Sequence, residues 1–388
     1  MTEGNPPQFK TTEIFEFFSS SKYYDALESI VLLSKDYPDS PLLHNISGAC
    51  YAGLGNFENA VKLYNKALLI NPSYSKAHYN LGGVLQEMGR LHEAINSYKN
   101  SLEIDPVYAE AHNNLGNVYK ELDQYDAALE SFQNALNINP EYIEARYNLG
   151  LTLQKLGQDT SIKNFKKVLE VKPDFAEAHN NLGVVLKSAG DLNQAIKSFK
   201  DATNINPRFF EAFNNLGNAF MDIDELDDAV KSYEQAIAIN PESPQLINNL
   251  GNAYKKLGRL KNAVNSYEKA IKIDPITPSF HNNLGVAYYD SGLLDKAISA
   301  YKKALSIDPE YAEALNNLGT VYKDLGNYKD AINYFKQSIT ISPMYSDAYS
   351  NLGVVFKKIG QLDNSIKSYN KALSINHKDA DTLNNLGI

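Results

Sequence analysis

Apolar and small residues between positions 106 and 139 fall on a helical beat. Ala111, Leu115, Val118, Tyr119 and Leu122 line one face of a first helix. Tyr125, Ala128, Leu129, Phe132, Ala135 and Leu136 then recur at i, i+3, i+4 and i+7 along a second. The second helix stops at Asn139-Pro140, because proline lacks the N–H and clashes with the preceding turn. The segment therefore predicts two antiparallel helices, A and B, with no stretch that alternates as a strand does.

The same unit recurs along the whole chain of 388 residues. Asn-Leu-Gly or a close relative ends at Gly48, Gly82, Gly116, Gly150, Gly183, Gly217, Gly251, Gly285, Gly319, Gly353 and Gly387, at intervals of 34 residues except one of 33. Seven residues later comes Gly55, Gly89, Gly157, Gly190, Gly258, Gly292, Gly326 or Gly360, with Asp123 and Asp224 in the two remaining copies. Prolines from Pro38 to Pro343 hold the same phase, and His377 stands where the next is due. Punctuation this regular predicts an all-α solenoid rather than the two or three globular domains that length alone suggests.

Glycine inside helix A costs about 1 kcal/mol relative to alanine, so a recurring one needs an offsetting gain. Close approach supplies it. Without a Cβ, the position lets the large residue of helix B pack against helix A: Tyr64, Tyr98, Phe132, Phe199, Tyr233, Tyr267, Tyr301, Phe335 and Tyr369. These aromatics are expected in the core.

The 34-residue spacing, Leu-Gly in helix A, Ala-aromatic-Ala in helix B and the closing Pro resemble the tetratricopeptide repeat. The resemblance implies a right-handed superhelical solenoid of antiparallel helix pairs. It divides the chain into a disordered N-terminus (1–8), a degenerate first helix pair (9–38), ten repeats (39–376) and the start of a further repeat (377–388). Ile14 occupies the glycine place of the degenerate pair, and the large residue four before each glycine, often Trp in the family, is never Trp here. The repeat of 33 residues reads GQDTSIKNF at Gly157–Phe165 and lacks the apolar residue that opens helix B elsewhere, such as Leu91 and Leu192. A local packing defect is expected there, either a hinge or a tolerated deletion.

Charge and candidate chemistry narrow the function. The 37 basic and 46 acidic residues give a net −9, against a nucleic-acid or anionic-membrane binder. One cysteine, Cys50, excludes internal disulfides and fits a reducing compartment. With no leader-like N-terminus and no long apolar run, the expected location is cytoplasmic. His44, His78, His112, His179 and His281 share one helix A position a repeat apart, too far to converge on a metal's ~2.1 Å bonds, so they read as packing residues. No catalytic motif, cofactor loop or metal motif is present, so neither enzyme activity nor a cofactor is expected of these residues.

The informative residue is asparagine, a poor choice inside a helix. Asn80, Asn114, Asn148, Asn181, Asn215, Asn249, Asn283, Asn317 and Asn351 stand two before their glycines, and Asn385 continues the row. The doubled Asn-Asn-Leu-Gly resembles the repeats of the O-linked N-acetylglucosamine transferases, whose asparagine ladder lines the concave groove and holds extended peptides by their backbone. That resemblance implies a scaffold binding an extended protein or peptide segment, or else the substrate-recruiting arm of a transferase whose catalytic domain follows residue 388. The plainer alternative is that each Asn bonds to a neighbouring helix. Lys120, Lys187, Lys255, Lys323 and Lys357 end the A helices that acidic residues such as Glu110 and Glu144 begin. That arrangement either complements the helix dipoles or gives the groove a preference for acidic ligands. The family's clamp for chaperone C-termini needs Arg or Lys in the asparagine row, and no copy has it. The last repeat stops one residue after Gly387, which predicts either a longer parent chain or an open end suited to an end-to-end or dimer contact.

Overall fold

Within each unit the helix B aromatics expected in the core, among them Tyr64, Tyr98 and Phe132 in the first and Tyr233, Tyr267, Tyr301, Phe335 and Tyr369 in the second, sit against a helix A glycine, and that packing organises each unit. The computed structural model describes residues 4–387, which divide into two units between Asp191 and Leu192. The first unit contains α1 (Gln8–Ser19), α2 (Tyr23–Leu33), α3 (Pro41–Gly53), α4 (Phe57–Ile70), α5 (Ser75–Glu87), α6 (Leu91–Ile104), α7 (Ala109–Glu121), α8 (Tyr125–Ile138), α9 (Ile143–Lys155), α10 (Thr160–Val171) and α11 (Ala176–Ser188). The second contains α12 (Leu192–Ile205), α13 (Phe210–Asp222), α14 (Leu226–Ile239), α15 (Pro244–Lys256), α16 (Leu260–Ile273), α17 (Pro278–Asp290), α18 (Leu294–Ile307), α19 (Ala312–Asp324), α20 (Tyr328–Ile341), α21 (Ser346–Lys358), α22 (Leu362–Ile375) and α23 (Ala380–Leu386). The described residues are helices joined by tight turns, with no strand.

Within each unit, every helix packs on the next, as antiparallel neighbours joined by short loops must. In the first unit a Cβ built on Gly116 would lie 2.6 Å from the Phe132 ring, and one on Gly82 would lie 2.8 Å from Tyr98. In the second, the equivalent approaches of Gly251 to Tyr267 and Gly285 to Tyr301 are 2.6 Å. The rings are fully buried, so the close approach proposed from sequence is what the helix A glycine provides. Alanines of helix B flank each ring at no exposure, Ala60 and Ala67 around Tyr64 among them. Where serine replaces one of these alanines its hydroxyl finds a carbonyl: Ser101 donates across the interface to Ser75 O at 3.0 Å and Ser338 to Ala312 O at 2.8 Å, while Ser161 donates to Gln158 O at 2.8 Å beside its own helix start. A buried hydroxyl without such a partner would cost on the order of 1–3 kcal/mol.

The turn between A and B needs a left-handed residue. Gly89 has φ 71°, and the two aspartates in the glycine place, Asp123 and Asp224, hold φ 56° and 61°. Asp tolerates that region because its short side chain bonds locally. Ser21 adopts φ 57° one period before Gly55, so the degenerate pair keeps the repeat's turn although it lost the helix A glycine. Of the N-terminal segment expected to be disordered, residues 1–3 lie outside the described residues. Asn5 Oδ1, however, accepts a hydrogen bond from the Ser40 hydroxyl at 2.7 Å and Pro6 is buried, which ties this part of the chain to the start of α3.

The short repeat departs as the sequence predicts. Helix α6 opens two residues after Gly89, whereas α10 opens three residues after Gly157 and has 12 residues against 14. Phe165 still reaches Gly150, at 2.9 Å from its missing Cβ, so the core contact is kept, and a hollow lies alongside α10 between α8 and α9.

Substituting Gly116→Ala tests the close approach. The gain of up to about 1 kcal/mol in helix propensity is outweighed by about 1–3 kcal/mol of overpacking against Phe132. The thermal midpoint of the chain should fall, and Phe132→Leu in the same background should recover part of the loss; a rise in the midpoint of the single variant contradicts the packing argument.

Candidate functional site

The asparagine row is stitched from one repeat to the next. Asn80 Nδ2 donates to Asn45 Oδ1 at 3.0 Å and Asn148 to Asn113 at 3.1 Å in the first unit. In the second, Asn249, Asn283, Asn317 and Asn351 donate to Asn214, Asn248, Asn282 and Asn316, each at 3.0 Å. The acceptor is always the residue three before the glycine of the preceding repeat. This explains the doubled asparagine: the second of each pair donates backward, and the first receives from the repeat that follows. Asn282 and Asn316 are buried, so each such bond satisfies an amide that water cannot reach.

Two acceptors are tyrosines, which sequence reasoning missed. Tyr79 and Tyr147 stand in the first-Asn place, and their hydroxyls accept from Asn114 at 3.0 Å and Asn181 at 2.8 Å. Each ring also meets the aromatic residue that precedes the following helix A, Tyr108 and Phe175, at centroid separations of 4.7 Å. The signal was available, since a phenol is the one uncharged aromatic group that reaches over the same distance and accepts a hydrogen bond. Asn215 is half-buried on α13 in register with the others.

The bond to the preceding repeat uses one N–H of Asn80, Asn114, Asn148, Asn181, Asn249, Asn283, Asn317 and Asn351. Among the described residues the Oδ1 of Asn80, Asn148, Asn283, Asn317 and Asn351 accepts nothing, while that of Asn249 receives Gln245 Nε2 at 2.9 Å and that of Asn114 receives Asn113 Nδ2 at 3.2 Å. These carboxamides are half-buried, held in one orientation by the N–H they have engaged.

All five lysines lie in the last turn of their helix A, and the acidic residues lie in the first, which is the pattern dipole complementarity demands. They differ beyond that. Lys120 is half-buried and donates to Asn117 Oδ1 at 3.3 Å, and burial holds its ammonium pKa below the usual value. Lys323 lies 3.6 Å from Asp324 Oδ1. Lys357 donates to the Asn385 carbonyl at 2.8 Å. Lys187 and Lys255 are half-buried at the same helical position. In the short repeat the place is taken by Gln154, whose Oε1 is buried without a hydrogen-bond partner.

The histidines have a polar duty beyond packing. Nε2 of His44, His78, His112, His179 and His281 lies 2.9–3.2 Å from the carbonyl of the loop proline six residues earlier. In the short repeat Arg146 takes over, with Nη2 donating to Pro140 O. The bond satisfies the carbonyl of a loop residue just beyond the C-cap of helix B and ties that loop to helix A. Among the described residues no group of three or more His, Cys, Asp or Glu could hold a metal ion. Cys50 is buried, its thiol pushed up to about 11 by desolvation, which makes it inert rather than nucleophilic. No described helix is long and apolar enough to cross a membrane.

Stacked antiparallel helix pairs with a 34-residue punctuation define a helical-repeat protein of the interaction type. Profiles described as TPR repeat match residues 48–89, 84–123, 116–157, 185–224, 217–258 and 251–292, and further tetratricopeptide profiles match 143–175, 164–197, 277–344 and 346–379. The chain belongs to the tetratricopeptide repeat family. No curated protein sequence matches it. Among solved structures it is similar to the Cut9–Hcn1 hetero-tetramer of the APC/C, at 15% identity and TM-score 0.52 over 97% of this chain and 95% of that one. It is also similar to yeast Tom70, at 17% identity and TM-score 0.50 over 97% and 93%. These likenesses establish the fold. The narrower likeness to the transferase repeats rests on the Asn-Asn-Leu-Gly motif alone.

His44 gives the first helix pairs a pH dependence. Burial, then the Lys66 charge, hold its imidazole below the ordinary 6.5, against the opposing pull of the Pro38 carbonyl and Asp39. A lowered folded value means the unfolded chain takes up the proton first. The contribution is therefore complete above pH 6.5 and lost as the pH falls through the folded value. Amide exchange in α3 and α4 should accelerate between about pH 7.5 and about pH 5.5 beyond the intrinsic pH effect, and the His44→Leu variant should show a smaller excess; equal excesses in the two proteins would remove His44 as the cause.

Proposed function

We propose that the chain is a protein-interaction scaffold whose asparagine row holds an extended peptide by its backbone. The observation that carries this reading is a series of half-buried carboxamides, each fixed by its bond to the preceding repeat and each keeping an Oδ1 acceptor and a second N–H. A peptide unit presents the matching donor and acceptor. An extended chain advances ~3.3–3.6 Å per residue, so repeats spaced about 10 Å apart meet every third residue. Rotamers already fixed by the inter-repeat bond remove part of the ordering cost of association, which totals about 4–15 kcal/mol. At a net ~1 kcal/mol per neutral hydrogen bond the row alone binds weakly, so additional contacts set the affinity. Gln154 Oε1 adds a buried acceptor, and the lysines that end the A helices favour acidic side chains alongside it.

Backbone recognition predicts indifference to side-chain order and sensitivity to amide chemistry. A fluorescein-labelled dodecapeptide of Ser, Thr and Ala, read by anisotropy, should keep its affinity when its sequence is shuffled. N-methylation of every third residue should weaken it about tenfold. Asn283→Ala with Asn317→Ala should weaken it as well while lowering the thermal midpoint. If the N-methylated peptide binds as well as its parent, the row is structural only.

A further inference from the structure

The groove bounded by two successive B helices and the A helix between them recurs along the array, and its size varies. Between α4, α5 and α6 the hollow over Leu81 and Leu85 has a volume of 210 Å³. Between α16, α17 and α18 it measures 370 Å³. Between α8, α9 and α10, over Leu149 and Leu153, it reaches 620 Å³. The largest hollow belongs to the short repeat, where, counted back from the buried ring, Gln158 occupies the place of Leu91 and the helix opens two residues late.

The rim differs as much as the volume. In the smallest hollow Arg90 is paired with Glu93 at 2.6 Å, and in the intermediate one Lys296 lies over the Tyr288 ring at 5.4 Å. Around the largest stand Arg146, Lys163 and Lys167, with Glu130 as the one carboxylate of the lining. Among the described residues none of these three cations forms an ion pair; Arg146 and Lys167 also border an adjoining hollow of 140 Å³, where Glu141 and Glu170 balance them. An apolar floor below excess positive charge, on a chain of net charge −9, selects for a ligand that is both apolar and acidic.

We propose that this hollow docks a short segment of a partner protein in which leucine-sized residues are flanked by carboxylates. The apolar side chain seats on Leu129, Leu149 and Leu153, and Lys163, Lys167 and Arg146 receive the flanking acids. The volume lies within the range of about 300–1,000 Å³ in which protein sites bury a ligand. None of the asparagine row lines this hollow, so the proposal stands apart from backbone recognition.

The test uses the full chain and a fluorescein-labelled peptide of sequence Glu-Glu-Leu-Leu-Glu-Glu, read by anisotropy. Saturable binding is expected, weakened by added salt and lost when the leucines become alanine. The exposed pair Lys163→Glu and Lys167→Glu should weaken it at least about tenfold, with the thermal midpoint showing the protein still folded. Insertion of one leucine between Gln158 and Asp159 restores the 34-residue period and the helix-opening apolar residue. It should raise the midpoint and abolish peptide binding. Equal binding by the charge-reversed protein, or by a folded leucine-insertion protein, overturns the assignment. So does self-association of the chain that the charge reversal abolishes while the peptide fails to bind.

Discussion

Everything in this chain depends on a ring placed where a Cβ would be. With the aromatic carbons of helix B 2.6–2.9 Å from the position a helix A side chain would need, the two helices of a pair can adopt only one separation and one register. A close-packed interior does not yield to such contacts, so the geometry is repeated wherever the residue pair is repeated. Both the glycine and the turn residue seven positions later serve that single arrangement. The penalty of an internal helical glycine is offset by burying a Tyr or Phe completely, a gain on the order of 1.5–3 kcal/mol for a large apolar side chain.

Regular helix spacing is also what allows asparagine to work as it does. A carboxamide reaches its counterpart in the neighbouring repeat at 3.0 Å only because helix A recurs at a constant offset, and four consecutive bonds of 3.0 Å in the second unit show how constant that offset is. The inter-helix role and the proposed ligand role, which look like rivals in the sequence, call on different atoms of the same group. Donating one N–H backward fixes the amide plane and leaves the oxygen and the other N–H in a defined direction. The row is thereby made rigid by the scaffold that carries it.

Much of this was legible in the residues. The period, the helix pairs, the buried rings and the weak point at Gly157–Phe165 follow from spacing and from the known costs of Gly and Pro. What stayed hidden involves bonds between atoms that no periodicity reports. The histidine position was read as packing, yet its Nε2 reaches a backbone carbonyl, a partner that side-chain patterns cannot name, and Arg146 satisfies the same carbonyl with different chemistry. Tyr79 and Tyr147 look like breaks in the asparagine pattern although they preserve its hydrogen bond. Asn5 belongs to α3 through a contact 35 residues away, which composition alone would assign to a tail.

The short repeat shows why a solenoid tolerates a deletion that would damage a single-core domain. Each pair contacts only its neighbours, so losing one residue between Gly157 and Phe165 disturbs one turn and leaves the Gly150–Phe165 contact in place. The same repeat carries the hollow of 620 Å³ over Leu149 and Leu153, where the equivalent groove between α4, α5 and α6 has 210 Å³. Identical repeats present identical surfaces and cannot by themselves mark a position along the array. A hollow over Leu149 and Leu153, ringed by Arg146, Lys163 and Lys167, none of them in an ion pair among the described residues, breaks that degeneracy and distinguishes one repeat from the others.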